Sequence, residues 1–103
     1  MKLIDKIRSS ITYVDGGMGT LLQARGLVPG ELPELWNLSH PQEIIDIHAQ
    51  YLDAGCNIIT TNTFGANCLK PYDLAPVIRS GILNAQKAVR RFSGDLPYFY
   101  LRR

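Results

Sequence analysis

The sequence predicts an α/β fold built on parallel strands. Segments of strand and helix character alternate along the 103 residues in the order strand, helix, helix, strand, helix, strand, which is typical of parallel strands joined by right-handed crossovers. The second strand-like run, CNIITTNTF, has no polar alternation beyond its threonines, as expected of a strand buried on both faces. Small and polar residues with glycines follow the first two strands, where parallel sheets place their functional groups.

The first part of the chain predicts one strand and short helical segments. The apolar residues of MKLIDKIRSS indicate a short amphipathic turn or helix, and ITYVDGG predicts a strand over residues 11–15 that ends at Asp15. MGTLLQARG then predicts a helix that stops at Gly26. Residues 27–38 contain two prolines and a glycine, and they predict a long loop with a turn of helix around residues 34–36.

The second part predicts the longest helices. SHPQEIIDIHAQYLDAG carries an apolar stripe at helical spacing, with Ser39 and Gln42 as a capping box at its start and a glycine at its end. CNIITTNTF predicts a second strand over residues 56–61, a third helix follows over residues 76–92, and YFYL predicts a third strand over residues 98–101. The predicted apolar stripe of the third helix consists of Ile78, Ile82, Ala85, Val89 and Phe92.

Composition is that of a soluble globular protein. The hydrophobic fraction of 46%, the charged fraction of 19% and the net charge of +2 are ordinary, and no basic run is long enough to predict nucleic-acid binding. No stretch approaches the roughly 20 apolar residues of a membrane helix, and the N-terminus does not resemble a secretory signal. Cys56 and Cys68 are too few for a disulfide framework and form no C-x-x-C metal motif. We therefore expect a cytoplasmic protein without membrane or nucleic-acid partners.

The segments DGGMGT and TTNTFGAN, which follow the first two strands, form one candidate binding site. Asp15 would offer a carboxylate there, and the glycines after it would let a ligand approach backbone amides that suit a carboxylate or phosphate. The residues alone leave alternatives open. Asp15 could instead cap the next helix, and the glycines could form a tight turn without a ligand. Thr61 and Thr63 could simply be strand formers, and Asn62 a turn residue.

Three further residues with reactive side chains lie outside this candidate site. His48 falls within the apolar stripe of the second helix, so we interpret it as a buried, hydrogen-bonded core residue and not as a catalytic base. Cys56 begins a strand and is interpreted as a small core residue. Cys68 follows the second loop of the candidate site as a lone thiol, which is interpreted as incidental.

The stretches DGGMGTLLQARGL, ELWNLSHPQEIIDIHAQYLDAG and IITTNTFGAN resemble the N-terminus of the homocysteine S-methyltransferase family, in particular the homocysteine-binding module of its cobalamin-dependent methionine synthases. The similarity runs from about residue 3 to residue 70. It implies that the chain is the N-terminal portion of a (β/α)8 TIM barrel, about three strands with intervening helices, that binds homocysteine at its C-terminal face. The substrate-binding residues implied by the resemblance are Asp15, Gly16, Gly17, Thr61, Asn62 and Thr63.

The chemistry implied by the resemblance is methyl transfer to the homocysteine thiolate, which yields methionine. In the family a zinc ion held by three cysteines binds the sulfur and favours its thiolate form. Cys56 and Cys68 do not match the family's zinc positions, which lie on late strands, so we assign no metal ligand and no catalytic residue to this chain. Cobalamin and methyltetrahydrofolate are expected to engage other domains of the parent enzyme.

Length sets a limit on this interpretation. A (β/α)8 barrel takes about 250 residues, so residues 1–103 are expected to be a partial homocysteine-binding barrel domain, truncated at the C-terminus and inactive alone. Two alternatives remain: a non-catalytic module that holds a small anion at the DGGMGT turn, or a non-functional remnant that does not fold alone. A piece with such open parallel edges is expected to aggregate or to stay molten.

Overall fold

The computed structural model describes residues 3–92 and 98–100. Its helices are α1 (Leu3–Ser9), α2 (Gly19–Ala24), α3 (Trp36–Ser39), α4 (Pro41–Asp53) and α5 (Leu74–Arg91), and a 3-10 turn over Pro33–Leu35 precedes α3. The strands are β1 (Ile58–Thr60) and β2 (Tyr98–Tyr100). Apart from the first predicted strand, the predicted order of elements is confirmed, including the helical turn within the predicted loop. Among the described residues, no helix has both the length and the apolar composition that crossing a bilayer requires.

Three segments run parallel and lie side by side. β1 pairs with β2 in register from Ile58 opposite Tyr98 to Thr60 opposite Tyr100. On its other side, Ile58 forms a single parallel bridge with Val14. The predicted strand over residues 11–15 is thus correctly placed but is reduced to this bridge. Its pairing stops early because the Tyr13 N–H donates to the Asn57 side chain at 3.0 Å and not to a backbone carbonyl.

Helix α4 begins differently from the prediction. The chain already forms α3 up to Ser39, so the Ser39 hydroxyl donates back to the Leu35 carbonyl at 3.3 Å, as a serine inside a helix does. His40 occupies the cap position without a side-chain capping bond, and Gln42 donates to Asp46 at 2.8 Å. The predicted capping box is therefore wrong. The predicted end of the helix is confirmed, since Gly55 has the positive φ of 107° that favours glycine.

The hydrophobic core has two parts, and α4 contributes to both. One part lies between α2 and α4, and the other lies between α4, β1 and α5. Partly buried Tyr51 packs against both clusters and joins them. The buried residues of the first part are Leu22, Leu27, Trp36, Ile44 and Ile47. Those of the second part are Ile45, Leu52, Ile59, Ala85 and Ala88.

The buried face of α5 differs from the predicted apolar stripe. Ala85 is buried as expected, but the larger apolar residues of that stripe are only half-buried. The buried face includes Gly81 and Asn84 because the helix packs close to its neighbours. A Cβ added at Gly81 would lie 2.8 Å from the Thr63 side chain and 2.9 Å from the Asn37 amide nitrogen. The buried residues of α5 are Val77, Gly81, Asn84, Ala85 and Ala88.

His48 is fully buried, as the sequence predicts. The predicted hydrogen bond is not found, since neither ring nitrogen has a partner within the described part of the chain. Burial without compensation disfavours the imidazolium and lowers the pKa of His48 from 6.5 to about 4. The ring is therefore neutral at physiological pH.

Candidate active-site cleft

A cleft of about 650 Å³ lies where residues 13–15 and β1 end. The glycine-rich turn after Asp15 forms one side, and the residues that follow β1 form another. Pro33, Glu34 and Lys70 complete the described lining, together with Phe64 and Gly65. The structure thus brings the two predicted site segments together in one cavity. Five predicted substrate-binding residues line it: Asp15, Gly16, Gly17, Thr61 and Asn62.

Asp15 connects the ends of the two strand segments. Its Oδ2 accepts the backbone N–H of Thr60 at 2.9 Å, and its Oδ1 accepts the Thr60 hydroxyl at 2.8 Å. The alternative role as a helix cap is wrong, because Met18 occupies the cap position of α2 and no side chain caps that helix. Each carboxylate oxygen keeps acceptor capacity beyond its single bond, so Asp15 can still accept hydrogen bonds from a ligand in the cleft.

The glycines of the turn serve two different purposes. The Tyr51 hydroxyl donates to the Gly17 carbonyl at 2.7 Å and ties the turn to α4. A Cβ at Gly16 would lie 3.0 Å from that hydroxyl, whereas a Cβ at Gly17 or Gly19 would meet no protein atom within 4 Å. Gly16 therefore lets the Tyr51 side chain pack against the turn, and Gly17 and Gly19 keep side chains out of the cleft.

Two neighbouring groups stay protonated near the Asp15 carboxylate. Burial, followed by the negative charge of Asp15, raises the pKa of the Tyr51 hydroxyl. The same two causes raise the pKa of the Cys56 thiol. Tyr51 is thus a hydrogen-bond donor at neutral pH, and Cys56 is a thiol, which is the form that does not bind metal.

The residues after β1 are held by a network of buried amides. Asn62 donates from Nδ2 to the Pro33 carbonyl at 2.9 Å and to Asn37 Oδ1 at 3.1 Å. Asn37 donates in return to the Asn62 carbonyl at 2.8 Å and to the Val77 carbonyl at 3.2 Å. Asn84 of α5 donates to the Asn37 carbonyl at 3.1 Å. Because both amide hydrogens of Asn62 are used, its side-chain oxygen is the group left for a ligand.

The two threonines beside Asn62 differ in position. Their hydroxyls lie 2.9 Å apart and share a hydrogen bond, and both residues are buried. Thr61 lines the cleft, whereas Thr63 is the residue whose side chain lies against Gly81 of α5. Contact of either with substrate stays a prediction.

A second group of polar residues at the cleft was missed by sequence reasoning. Glu34 is only 2% exposed, and its Oε1 accepts the Tyr72 hydroxyl at 2.8 Å. Lys70 Nζ lies 3.6 Å from the same oxygen. Burial, followed by the hydrogen bond to Glu34, raises the pKa of Tyr72, so Tyr72 remains a donor. The sequence signal that could have found Glu34 is an acid between Pro33 and Leu35, in a segment otherwise rich in core residues.

The chain does not present the donor set of a zinc thiolate site in its described residues. No group of three or more His, Cys, Asp or Glu side chains there could hold a metal ion. Cys56 is half-buried and Cys68 is exposed, and both are free thiols. The residues present therefore do not fit the zinc ion implied by the sequence resemblance.

Comparison with known proteins places this chain in a family. The family model for homocysteine S-methyltransferase matches residues 12–99, which include every described residue of the cleft. The chain belongs to the homocysteine S-methyltransferase family. The resemblance stated from the sequence is thereby confirmed.

The similar proteins are longer than this chain. Methionine synthase from Mycobacterium tuberculosis is 33% identical over 102 residues, which cover 91% of this chain and 9% of that protein. The homocysteine methyltransferase MmuM from Escherichia coli superposes in its metallated form with a TM-score of 0.73 at 21% identity, over 92% of this chain and 38% of that one. Its apo form gives a TM-score of 0.63 at 29% identity, over 84% of this chain and 30% of that one. The chain therefore corresponds to a minor part of each relative.

Proposed function

We propose that this chain supplies part of the homocysteine pocket of a methyltransferase that makes methionine from homocysteine. In this proposal, residues 1–103 are the first part of a (β/α)8 barrel, and the cleft lies at the C-terminal ends of its strands. The observation that carries the proposal is the joining of Asp15 to Thr60, which places the DGG turn and the end of β1 around one cavity.

The proposed role of the chain is to bind and orient the amino-acid end of homocysteine. Asp15, the amides of Gly16 and Gly17, and the segment Thr61, Asn62 and Thr63 are the proposed contacts. The thiolate-forming zinc of the family requires ligands that the described residues do not supply, so no step of methyl transfer is assigned to them. Cobalamin, methyltetrahydrofolate and a cytoplasmic location remain parts of the proposal for the whole protein.

The proposal is tested by calorimetric titration of the purified chain with L-homocysteine and, separately, with inorganic phosphate. We expect saturable binding of homocysteine and weaker binding of phosphate. Tight phosphate binding without homocysteine binding would instead support the non-catalytic anion-binding module. A chain that shows no cooperative melt would support the remnant that does not fold alone.

The Asp15→Asn variant tests the proposed site directly. An asparagine can still accept the Thr60 N–H and donate to the Thr60 hydroxyl, so the fold is retained while the negative charge is lost. We expect about tenfold weaker homocysteine binding, which is typical for the loss of one charge-assisted hydrogen bond.

Asp46→Asn is the matched control, since Asp46 lies outside the cleft lining, on α4 beside Arg25 and Arg91. It should leave homocysteine affinity unchanged. Equal affinities of the chain and the Asp15→Asn variant would exclude Asp15 as a substrate ligand.

A further inference from the structure

Glu34 is a buried carboxylate in the wall of the cleft, and only one of its oxygens is bonded. Oε1 accepts the Tyr72 hydroxyl and faces Lys70. No donor to Oε2 is found among the described residues. Oε2 is not among the fully buried polar atoms that lack a partner, and Glu34 lines the cleft, so this oxygen is open to the cleft, where a ligand or water can donate to it.

The charges in the cleft favour a cationic group. The charged residues in its described lining are Asp15, Glu34 and Lys70. The Lys70 nitrogen lies 3.6 Å from Glu34 Oε1, which is longer than a strong charge-assisted hydrogen bond. Its side chain is 27% exposed, so solvent screens the pair further. Two carboxylates and one partly screened ammonium therefore line the cleft, which retains an excess of negative charge.

Gly65 leaves the space that the Glu34 carboxylate occupies. A Cβ at residue 65 would lie 2.6 Å from Oε2 and 2.9 Å from the carboxyl carbon. The carboxylate cannot easily move away, because Tyr72 holds its other oxygen and Glu34 is 2% exposed. Its position at the cleft is therefore fixed by packing before any ligand binds.

We infer that Glu34 is a substrate-binding residue whose Oε2 accepts a hydrogen bond from the α-ammonium group of the substrate. This inference rests on the proposed function and extends it to specificity: Glu34 selects thiols that carry an ammonium group over thiols that lack one. The reaction needs the sulfur of the substrate, whereas recognition at Glu34 depends on its amino group. An analogue that keeps the thiol and lacks the amino group therefore isolates the contribution of Glu34.

The test compares L-homocysteine with 4-mercaptobutanoate, which is homocysteine without its amino group. Dissociation constants of both are measured at pH 7 for the unmodified chain and for Glu34→Gln, which keeps the side-chain shape and removes the charge. We expect the preference for homocysteine to fall about tenfold in the variant, while 4-mercaptobutanoate binds as before. Glu43→Gln is the matched control, because Glu43 pairs with Arg25 outside the cleft lining, and its preference should be unchanged.

A second variant guards against misfolding as the cause. Gly65→Ala retains the net charge, but its Cβ would occupy the space beside Oε2, so the preference should fall there too, with circular dichroism showing that both variants fold. An unchanged preference in Glu34→Gln, or equal loss of affinity for both ligands, would overturn the role of Glu34 while homocysteine binding stands. If the unmodified chain binds no homocysteine, the proposed function itself fails, and this inference fails with it.

Discussion

Buried polar side chains hold the cleft in shape at the scale of single residues. Glu34, Asn37 and Asn62 are each less than a tenth exposed, and each is bonded to a loop or to another of these side chains. Removing one partner leaves a buried polar group unsatisfied, which costs about 1–3 kcal/mol. The shape of the cleft therefore depends on Asn62, which the sequence predicts as a site residue, and on Glu34 and Asn37, which it does not.

His48 makes stability depend on pH. Its folded-state pKa of about 4 is below the unfolded value of 6.5, so the unfolded chain binds the proton more readily. The contribution to stability is complete above pH 6.5 and is lost as the pH falls toward 4. We expect the free energy of unfolding to drop by about 3 kcal/mol between pH 7 and pH 4 from this residue, measured by urea denaturation across that range.

The control for this prediction is His48→Leu, which fills a similar volume without a titrating group. The free energy of unfolding of this variant should fall by about 3 kcal/mol less than that of the unmodified chain between pH 7 and pH 4. An identical pH dependence in both proteins would assign the acid sensitivity to other groups.

At the scale of elements, α4 and α5 decide where the cleft residues lie. Helix α4 supplies both core clusters and holds the glycine turn through Tyr51. Helix α5 approaches the segment after β1 at Gly81 and bonds to it through Asn84 and Asn37. The position of α4 therefore fixes the glycine turn on one side of the cleft, and the position of α5 fixes the segment after β1 on the other.

Gly81→Ala tests the close approach of α5. An alanine raises helix propensity by up to about 1 kcal/mol, but its Cβ would lie 2.8 Å from Thr63 Cγ2. Overpacking of this kind costs about 1–3 kcal/mol, so we expect a lower urea midpoint despite the better helix former.

Gly19→Ala provides the comparison, because its Cβ meets no atom within 4 Å and it lies in α2. Its midpoint should be equal to or higher than that of the unmodified chain. A midpoint for Gly81→Ala as high as that of Gly19→Ala would show that α5 can shift away without loss.

At the scale of the whole molecule, one side of the parallel arrangement exposes apolar residues. Ile11, Tyr13 and Val14 are 72%, 58% and 48% exposed along the segment that bridges to β1. An exposed apolar edge of this kind favours pairing with another strand. We expect the purified chain to self-associate with rising concentration, as measured by sedimentation velocity.

Val14→Lys is expected to shift this association to higher concentration, since a charge at an edge strand opposes pairing. Leu69→Lys is the control, because Leu69 is 90% exposed but lies in the loop after β1, away from the edge. An equal effect of both variants would point to general solubility and not to the edge.

The sequence by itself determined the order of elements and the family. Apolar periodicity placed α4 and α5, glycines at 26 and 55 placed two helix ends, and DGGMGT with TTNTFGAN predicted two segments of one site. These features are local, or depend on the general rule that the carboxyl ends of parallel strands lie at the same edge of a sheet. They can therefore be predicted from the amino-acid sequence alone.

Only the tertiary structure decided which polar groups meet. Ser39 does not cap α4 because α3 precedes it, α5 turns Gly81 and Asn84 inward, and Glu34 reaches the cleft beside Tyr72, which is 38 residues away. Such contacts join residues that are distant in sequence, and the burial that makes them strong arises when the helices pack. The amino-acid order carries no periodic signal for them, so the fold alone reveals Glu34 and Lys70 as cleft residues and Asn37 as a support of the segment after β1.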